Sequence, residues 1–131
     1  MGPTYSARHM PQPARVLVVD DDDLQRDALA DVLSRAGYAV EVAADGVAAL
    51  EAARARAPKV VVLDLLLPRL DGASVLAELR RDPSLARVAV VVTTGVHTSH
   101  LRRLLPADAT LFKPLDVREL LYTIGDLARR E

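Results

Sequence analysis

Short apolar runs that end in polar residues recur along this chain. They are Val16 to Val19 before Asp20-Asp21-Asp22-Asp23, Val60 to Leu63 before Asp64, Val90 to Val92 before Thr93-Thr94, and Leu111-Phe112 before Lys113-Pro114. Between them the apolar spacing changes from the period of a strand to that of a helix. Leu24, Ala28, Val32 and Leu33 repeat at helical intervals, and Gly37 is the stop just beyond that first helix. Ala39 to Ala43 predicts a short strand, Asp45-Gly46 a turn or cap, and Val47, Leu50 and Arg54 a second helix that must end before Pro58. The run ending at Asp64 is the third strand. Pro68 to Gly72 is a loop, Val75, Leu76 and Leu79 form one face of a third helix, and Asp82-Pro83 ends it. Val88 to Thr93 predicts the fourth strand. Thr98 or Ser99 caps a short fourth helix carrying Leu101, Leu104 and Leu105, which stops near Pro106 before a fifth strand at Ala109 to Phe112. Asp116 with Glu119 three residues later resembles a capping box, and Val117, Leu120, Leu121, Ile124 and Leu127 give the final helix its apolar face.

Five strands alternating with five helices predict an α/β fold. Each crossover helix connects parallel strands with right-handed chirality, and strands apolar throughout are buried on both faces. At this size the expected architecture is a flavodoxin-like (βα)5 sandwich of strand order 2-1-3-4-5, with its ligand crevice between the ends of strands one and three. A length of 131 residues, half of them hydrophobic, fits one domain with a substantial core. Residues 1–13 carry three prolines, with single Gly, Ser and Arg residues, and no hydrophobic period, so they are expected to form a tail, leaving 14–131 as the folded unit. His9-Met10 resembles a cloning scar, which would make Met10 the natural start.

Charge and composition remove several function classes. A net charge of −1 offers no bulk attraction to nucleic acid or an anionic membrane, so direct binding to either is not expected. The absence of cysteine excludes disulfides, thiolate metal sites and thiol nucleophiles, and agrees with a cytoplasmic setting. No run approaches the roughly 18 to 20 apolar residues of a membrane span.

In a parallel sheet the carboxyl ends of all strands share one edge, so the polar residues that close the apolar runs converge. Asp20 to Asp23 can serve simply as a solvated helix cap. A further carboxylate at Asp64, on the neighbouring strand, changes that picture, because clustered like charges favour a neutralising cation or proton. Mg²⁺, with Mn²⁺ as a substitute, suits hard oxygen ligands of this type. Asp64 can cap a helix or act as a nucleophile, since a carboxylate accepts a phosphoryl group without a general base. Lys113 is either a surface cation or a point charge for phosphoryl oxygens, and Thr93 either a β-branched strand residue or a hydroxyl donor to those same oxygens. Phosphoryl transfer consists largely of positioning and charge neutralisation, which such a set supplies.

As a set, Asp20-Asp21, Leu63-Asp64 with Pro68 four residues on, Asp71-Gly72, Thr93 and Lys113-Pro114 resemble the response-regulator receiver domains of bacterial two-component signalling, over about residues 15–130. The resemblance implies that Asp64 is the phosphoacceptor. It implies that Asp20, Asp21 and Asp64 hold Mg²⁺ with the backbone carbonyl of Leu66, that Thr93 and Lys113 bind the phosphoryl group, and that Pro68 and Asp71-Gly72 shape the adjoining loop. A histidine kinase or histidine phosphotransfer protein would be the donor. The domain would catalyse its own phosphorylation and dephosphorylation, and would signal to a downstream protein or output domain. Dimerisation would use the face made by the fourth helix, fifth strand and last helix. The rival readings are a degenerate receiver acting as a binding scaffold and a haloacid-dehalogenase-like phosphatase, which Asp20-x-Asp22, a strand-end threonine and Lys113 superficially match.

The departures from the family pattern concern output and access. Receivers usually place Tyr or Phe three residues before the lysine, where this chain has Thr110, which argues against the usual threonine-to-aromatic switch. Phe112 stands one residue before Lys113. Thr94 replaces the usual small residue after the threonine, and Leu66 is apolar two residues after Asp64; both are expected to flank the route to the phosphoryl group. The segment from Thr93 to Lys113 is slightly short for the family. His97 and His100 lack a third metal ligand, Arg102-Arg103 and Arg129-Arg130 lack the aromatic platform of a nucleic-acid site, and Tyr38 and Tyr122 are expected to pack.

Overall fold

A computed structural model describes residues 12–96 and 105–130. Its elements are β1 (Arg15–Val19), α1 (Asp23–Arg35), β2 (Ala39–Ala43), α2 (Gly46–Ala55), β3 (Val60–Asp64), α3 (Gly72–Arg81), β4 (Ala89–Thr94), β5 (Ala109–Phe112) and α4 (Val117–Ala128). The strands form one parallel sheet of order β2-β1-β3-β4-β5, the flavodoxin-like arrangement the alternation predicts. The short helix expected from Thr98 or Ser99, together with His97 and His100, lies outside the described residues.

Period two along the strands divides the core in two. Leu17, Val19, Val61, Leu63, Val90 and Val92 pack with Ala49, Leu50 and Ala53 of α2 and Val75, Leu76 and Leu79 of α3. Their neighbours Val16, Val18, Val60, Val62, Ala89 and Val91 pack with Leu29 and Leu33 of α1 and Leu120, Ile124 and Leu127 of α4. Each large aliphatic side chain fully buried in this way contributes about 1.5–3 kcal/mol.

Local signals set the helix ends. Asp22 accepts from the Leu24 and Gln25 amides at the start of α1, Asp45 from Ala48 N–H for α2, Asp71 from Ser74 N–H for α3, and Asp116 from Arg118 and Glu119 N–H for α4. Gly37, at φ 101°, reverses the chain after α1.

Three details differ from the sequence expectation. Strand β4 runs Ala89–Thr94 instead of Val88–Thr93, because the Val88 amide is turned back to the Leu85 carbonyl at 3.1 Å while Ala89 N–H reaches Lys59 O across the sheet, and at the other end the Thr94 carbonyl accepts Lys113 N–H at 2.8 Å. The buried stripe of α1 is Leu29 and Leu33, and Leu24 is 85 % exposed: standing nine residues before Leu33, it leaves the opposite side of the helix. Tyr122 is 77 % exposed, since it lies two residues from both Leu120 and Ile124 and faces away from the stripe they form. Tyr38 packs, partly buried, against the α1/α4 core. No helix among the described residues is long and apolar enough to cross a membrane.

Candidate functional site

The strand alternation places the polar residues. On β1, β3, β4 and β5 the positions in phase with the α1/α4 core are Val18, Val62, Val91 and Leu111. Two residues further along each strand direction stand Asp20, Asp64, Thr93 and Lys113. All four leave the same face of the sheet at its carboxyl edge. Asp21 follows Asp20 in the loop to α1 and is exposed, whereas Asp20, Asp64 and Thr93 are buried.

Carboxylate oxygens of Asp20, Asp21 and Asp64 lie within 4.8 Å of one another. Lys113 Nζ sits 3.2 Å from Asp64 Oδ2 and 3.6 Å from Asp20 Oδ2. Thr93 is the register partner of Asp64 on β4. Asp64 Oδ1 accepts the Leu66 N–H at 3.2 Å, and Asp20 Oδ1 accepts the Asp22 N–H at 2.9 Å. The other Asp20 oxygen, Oδ2, is buried without a hydrogen-bond partner. Burial pushes the Asp20 carboxyl above the usual carboxylate range, against the opposing pull of the Asp22 amide and Lys113. Three carboxylates facing one ammonium, with a buried oxygen left unbonded, form a donor set suited to a hard divalent cation such as Mg²⁺.

The surrounding loops approach closely enough to demand specific residues. A Cβ on Gly72 would stand 2.4 Å from the Asp64 carbonyl oxygen, so the first turn of α3 sits directly against the end of β3. A Cβ on Gly46 would stand 2.0 Å from the Leu70 carbonyl oxygen, where the start of α2 meets the β3–α3 loop. Arg69 in that loop has a left-handed φ of 67°, and its guanidinium reaches Asp45 Oδ2 at 3.2 Å. The Ala48 amide lowers the Asp45 carboxyl below its ordinary range, with Arg69 adding to the effect. On the other side, Lys113 N–H donates to Thr94 O at 2.8 Å, and the Lys113–Pro114 peptide is cis.

All the side chains expected at the site converge: Asp20, Asp21, Asp64, Thr93 and Lys113, with Leu66 at its mouth. The two residues expected to flank its entrance are separated. Leu66 is 69 % exposed, but Thr94 is buried, in phase with the opposite sheet face, and its hydroxyl accepts the Val96 N–H at 3.0 Å. Thr110 is likewise buried on that opposite phase, paired with Val92, and Phe112 is partly buried opposite Thr94. Two contributors escape the sequence reading. Gly46 gives no local sign of its contact with Leu70. Arg26 is signalled only by its spacing, three residues after Asp23, to which it pairs at 2.7 Å.

A family model described as the response regulator receiver domain matches residues 16–125. The chain is 40 % identical over 119 residues to response regulator MprA of Mycobacterium sp. strain KMS, a stretch that covers 90 % of this chain and 52 % of MprA. It thus spans about half the length of the curated relatives it matches. Chemotaxis protein CheY4 of Vibrio cholerae superposes with a TM-score of 0.82 at 28 % identity, covering 88 % of this chain and 98 % of that one. The receiver domain of sensor histidine kinase PA1611 from Pseudomonas aeruginosa, whose structure has a magnesium ion coordinated in the active site cleft, gives a TM-score of 0.83 at 25 % identity over 90 % of this chain and 99 % of its own.

Proposed function

The chain belongs to the response regulator receiver domains of two-component signalling, and from that membership we propose that it is a phosphorelay switch with Asp64 as phosphoacceptor. The observation that carries the reading is the convergence of Asp20, Asp21 and Asp64 within 4.8 Å, with Lys113 Nζ 3.2 Å from Asp64 Oδ2. An Asp64 oxygen attacks the phosphorus of a phosphohistidine on a histidine kinase or phosphotransfer protein. The phosphorus–oxygen bond forms as the phosphorus–nitrogen bond breaks and the imidazole leaves. Asp20, Asp21, Asp64 and the Leu66 carbonyl would hold Mg²⁺, or Mn²⁺ in its place, which supplies neutralisation of the phosphoryl oxygens. Lys113 already lies against Asp64 and follows the phosphoryl oxygens as a compact positive charge, while the Thr93 hydroxyl donates to them from β4. Donors of this class place the domain in the cytoplasm.

The output is a change in the face beside β5 and α4, passed to a downstream protein or output domain, and the same face is the candidate dimer contact. With Thr110 in the usual aromatic position, the signal leaves Asp64 through Thr93 and the loop after β4.

Incubation with acetyl phosphate and Mg²⁺, reductive trapping and mass spectrometry test this reading. One phosphoryl group on Asp64 is expected. Label on Asp20 instead would move the nucleophile to the position a phosphatase of the dehalogenase type would use. No label on folded, Mg²⁺-replete protein would leave a binding scaffold.

A further inference from the structure

We propose that Arg26 is a positioning residue for the acidic loop, holding the Asp20 backbone so that the Asp20 and Asp21 carboxylates stay together beside Asp64. The inference rests on the reading of that cluster as a divalent-cation site. Arg26 NH1 donates to the Asp20 carbonyl oxygen at 3.1 Å, and NH2 pairs with Asp23 Oδ1 at 2.7 Å. The side chain is only 14 % exposed. Arg26 lies near the amino end of α1, where the helix dipole disfavours a cation, so the specific contacts outweigh a local electrostatic cost.

The contacts are selective. The guanidinium binds the main chain of Asp20 and leaves its carboxylate alone, and Asp23 compensates its charge. The Asp20 amide donates to Ala43 O at 3.1 Å, so the backbone of Asp20 is held from β2 through its N–H and from α1 through its carbonyl. The Asp20 side chain is then restrained by the Asp22 amide on Oδ1, leaving Oδ2 turned toward Lys113 and the acidic cluster. A lysine at position 26 cannot reproduce this two-pronged contact, because a single ammonium lacks the planar fork of a guanidinium.

The sign of one measurement separates positioning from simple charge. Arg26→Met keeps the aliphatic stem and removes a positive charge near the cluster, so Coulomb's law alone makes Mg²⁺ bind more tightly. Positioning makes it bind more weakly, by about tenfold, the lower end of what losing a group that orients metal ligands costs. Mg²⁺ titration calorimetry on wild type, Arg26→Met and Arg26→Lys reads the difference, with melting curves recorded for each. Weaker binding in both variants at a melting temperature near wild type is expected, together with faster hydrogen exchange at the Asp22 amide in the Mg²⁺-free protein. Tighter binding in Arg26→Met with wild-type affinity in Arg26→Lys overturns the inference and leaves the cation site standing. Should either variant fold poorly, the other decides on the same terms. Wild-type protein that binds no Mg²⁺ overturns the site reading and this inference with it.

Discussion

Gly72→Ala measures how closely α3 must approach the end of β3 for the site edge to form. The added Cβ would lie 2.4 Å from Asp64 O, 2.7 Å from Leu65 Cα and 2.9 Å from Leu65 O, all backbone atoms. That backbone is fixed in turn, by Leu65 N–H to Thr93 O and by Gly72 N–H to Leu65 O, each at 3.0 Å. Ordinary C···O contacts begin near about 3.3 Å, so the helix start must retreat by about 1 Å. Overpacking against neighbours that cannot swing aside falls toward the top of the usual range, about 3 kcal/mol. Alanine returns at most about 1 kcal/mol of helix propensity. The net loss is about 2 kcal/mol, which lowers the melting temperature of a domain this size by about 8 °C. Gly125→Ala is the control: inside α4 its Cβ meets only Arg129 NH1 at 3.5 Å and the Tyr38 hydroxyl at 3.6 Å, both ordinary contacts. There the propensity gain stands alone, and stability rises by up to about 1 kcal/mol. Thermal melts followed by circular dichroism give both signs. If Gly72→Ala melts within about 2 °C of wild type, the close seating of α3 does not hold in solution and the packing argument fails.

Two further outcomes follow from the site. Asp21→Ala removes an exposed carboxylate from a cluster of three, so Mg²⁺ affinity should fall about tenfold or more while the melting temperature holds or rises; unchanged affinity by calorimetry removes Asp21 from the ligand set. Leu66→Asn supplies a polar group at the exposed mouth to orient an attacking water, shortening the acyl-phosphate lifetime by roughly two- to twelvefold, the worth of one hydrogen bond; equal decay rates in a dephosphorylation time course would refute that role.

Strand runs and caps were legible in the sequence because they are local. An aspartate just before a helix needs only amides two or three residues on, and Asp45 and Asp116, read as caps, both act that way, as does Asp71, read only as part of a loop. The order of the sheet followed from alternation and handedness, and the convergence of Asp20, Asp64, Thr93 and Lys113 followed from that order. What escaped depends on contacts between distant segments. Leu24 is an exception: nine residues before Leu33, it is half a turn out of phase with the buried stripe, so its exposure was readable from the helical period alone. Gly46 matters because Leu70 arrives beside it from another loop. Thr94 is different: strict alternation from Thr93 assigns it to the opposite face, so its separation from Leu66 was readable from period two alone.

The candidate chemical groups, Asp20, Asp64, Thr93 and Lys113, are all delivered by strands or the residues that immediately follow them, and none by the outer surface of a helix. The exteriors of α1 and α4 are therefore released from the reaction. Exposed residues there can be exchanged one by one at about ±0.5 kcal/mol each, while the candidate site keeps its spacing because the sheet beneath it is unchanged. On the proposed phosphorelay reading, chains of this architecture would carry separate partner addresses on their helix exteriors while sharing one transfer chemistry, so insulation between parallel signals would be tunable at little cost to the fold.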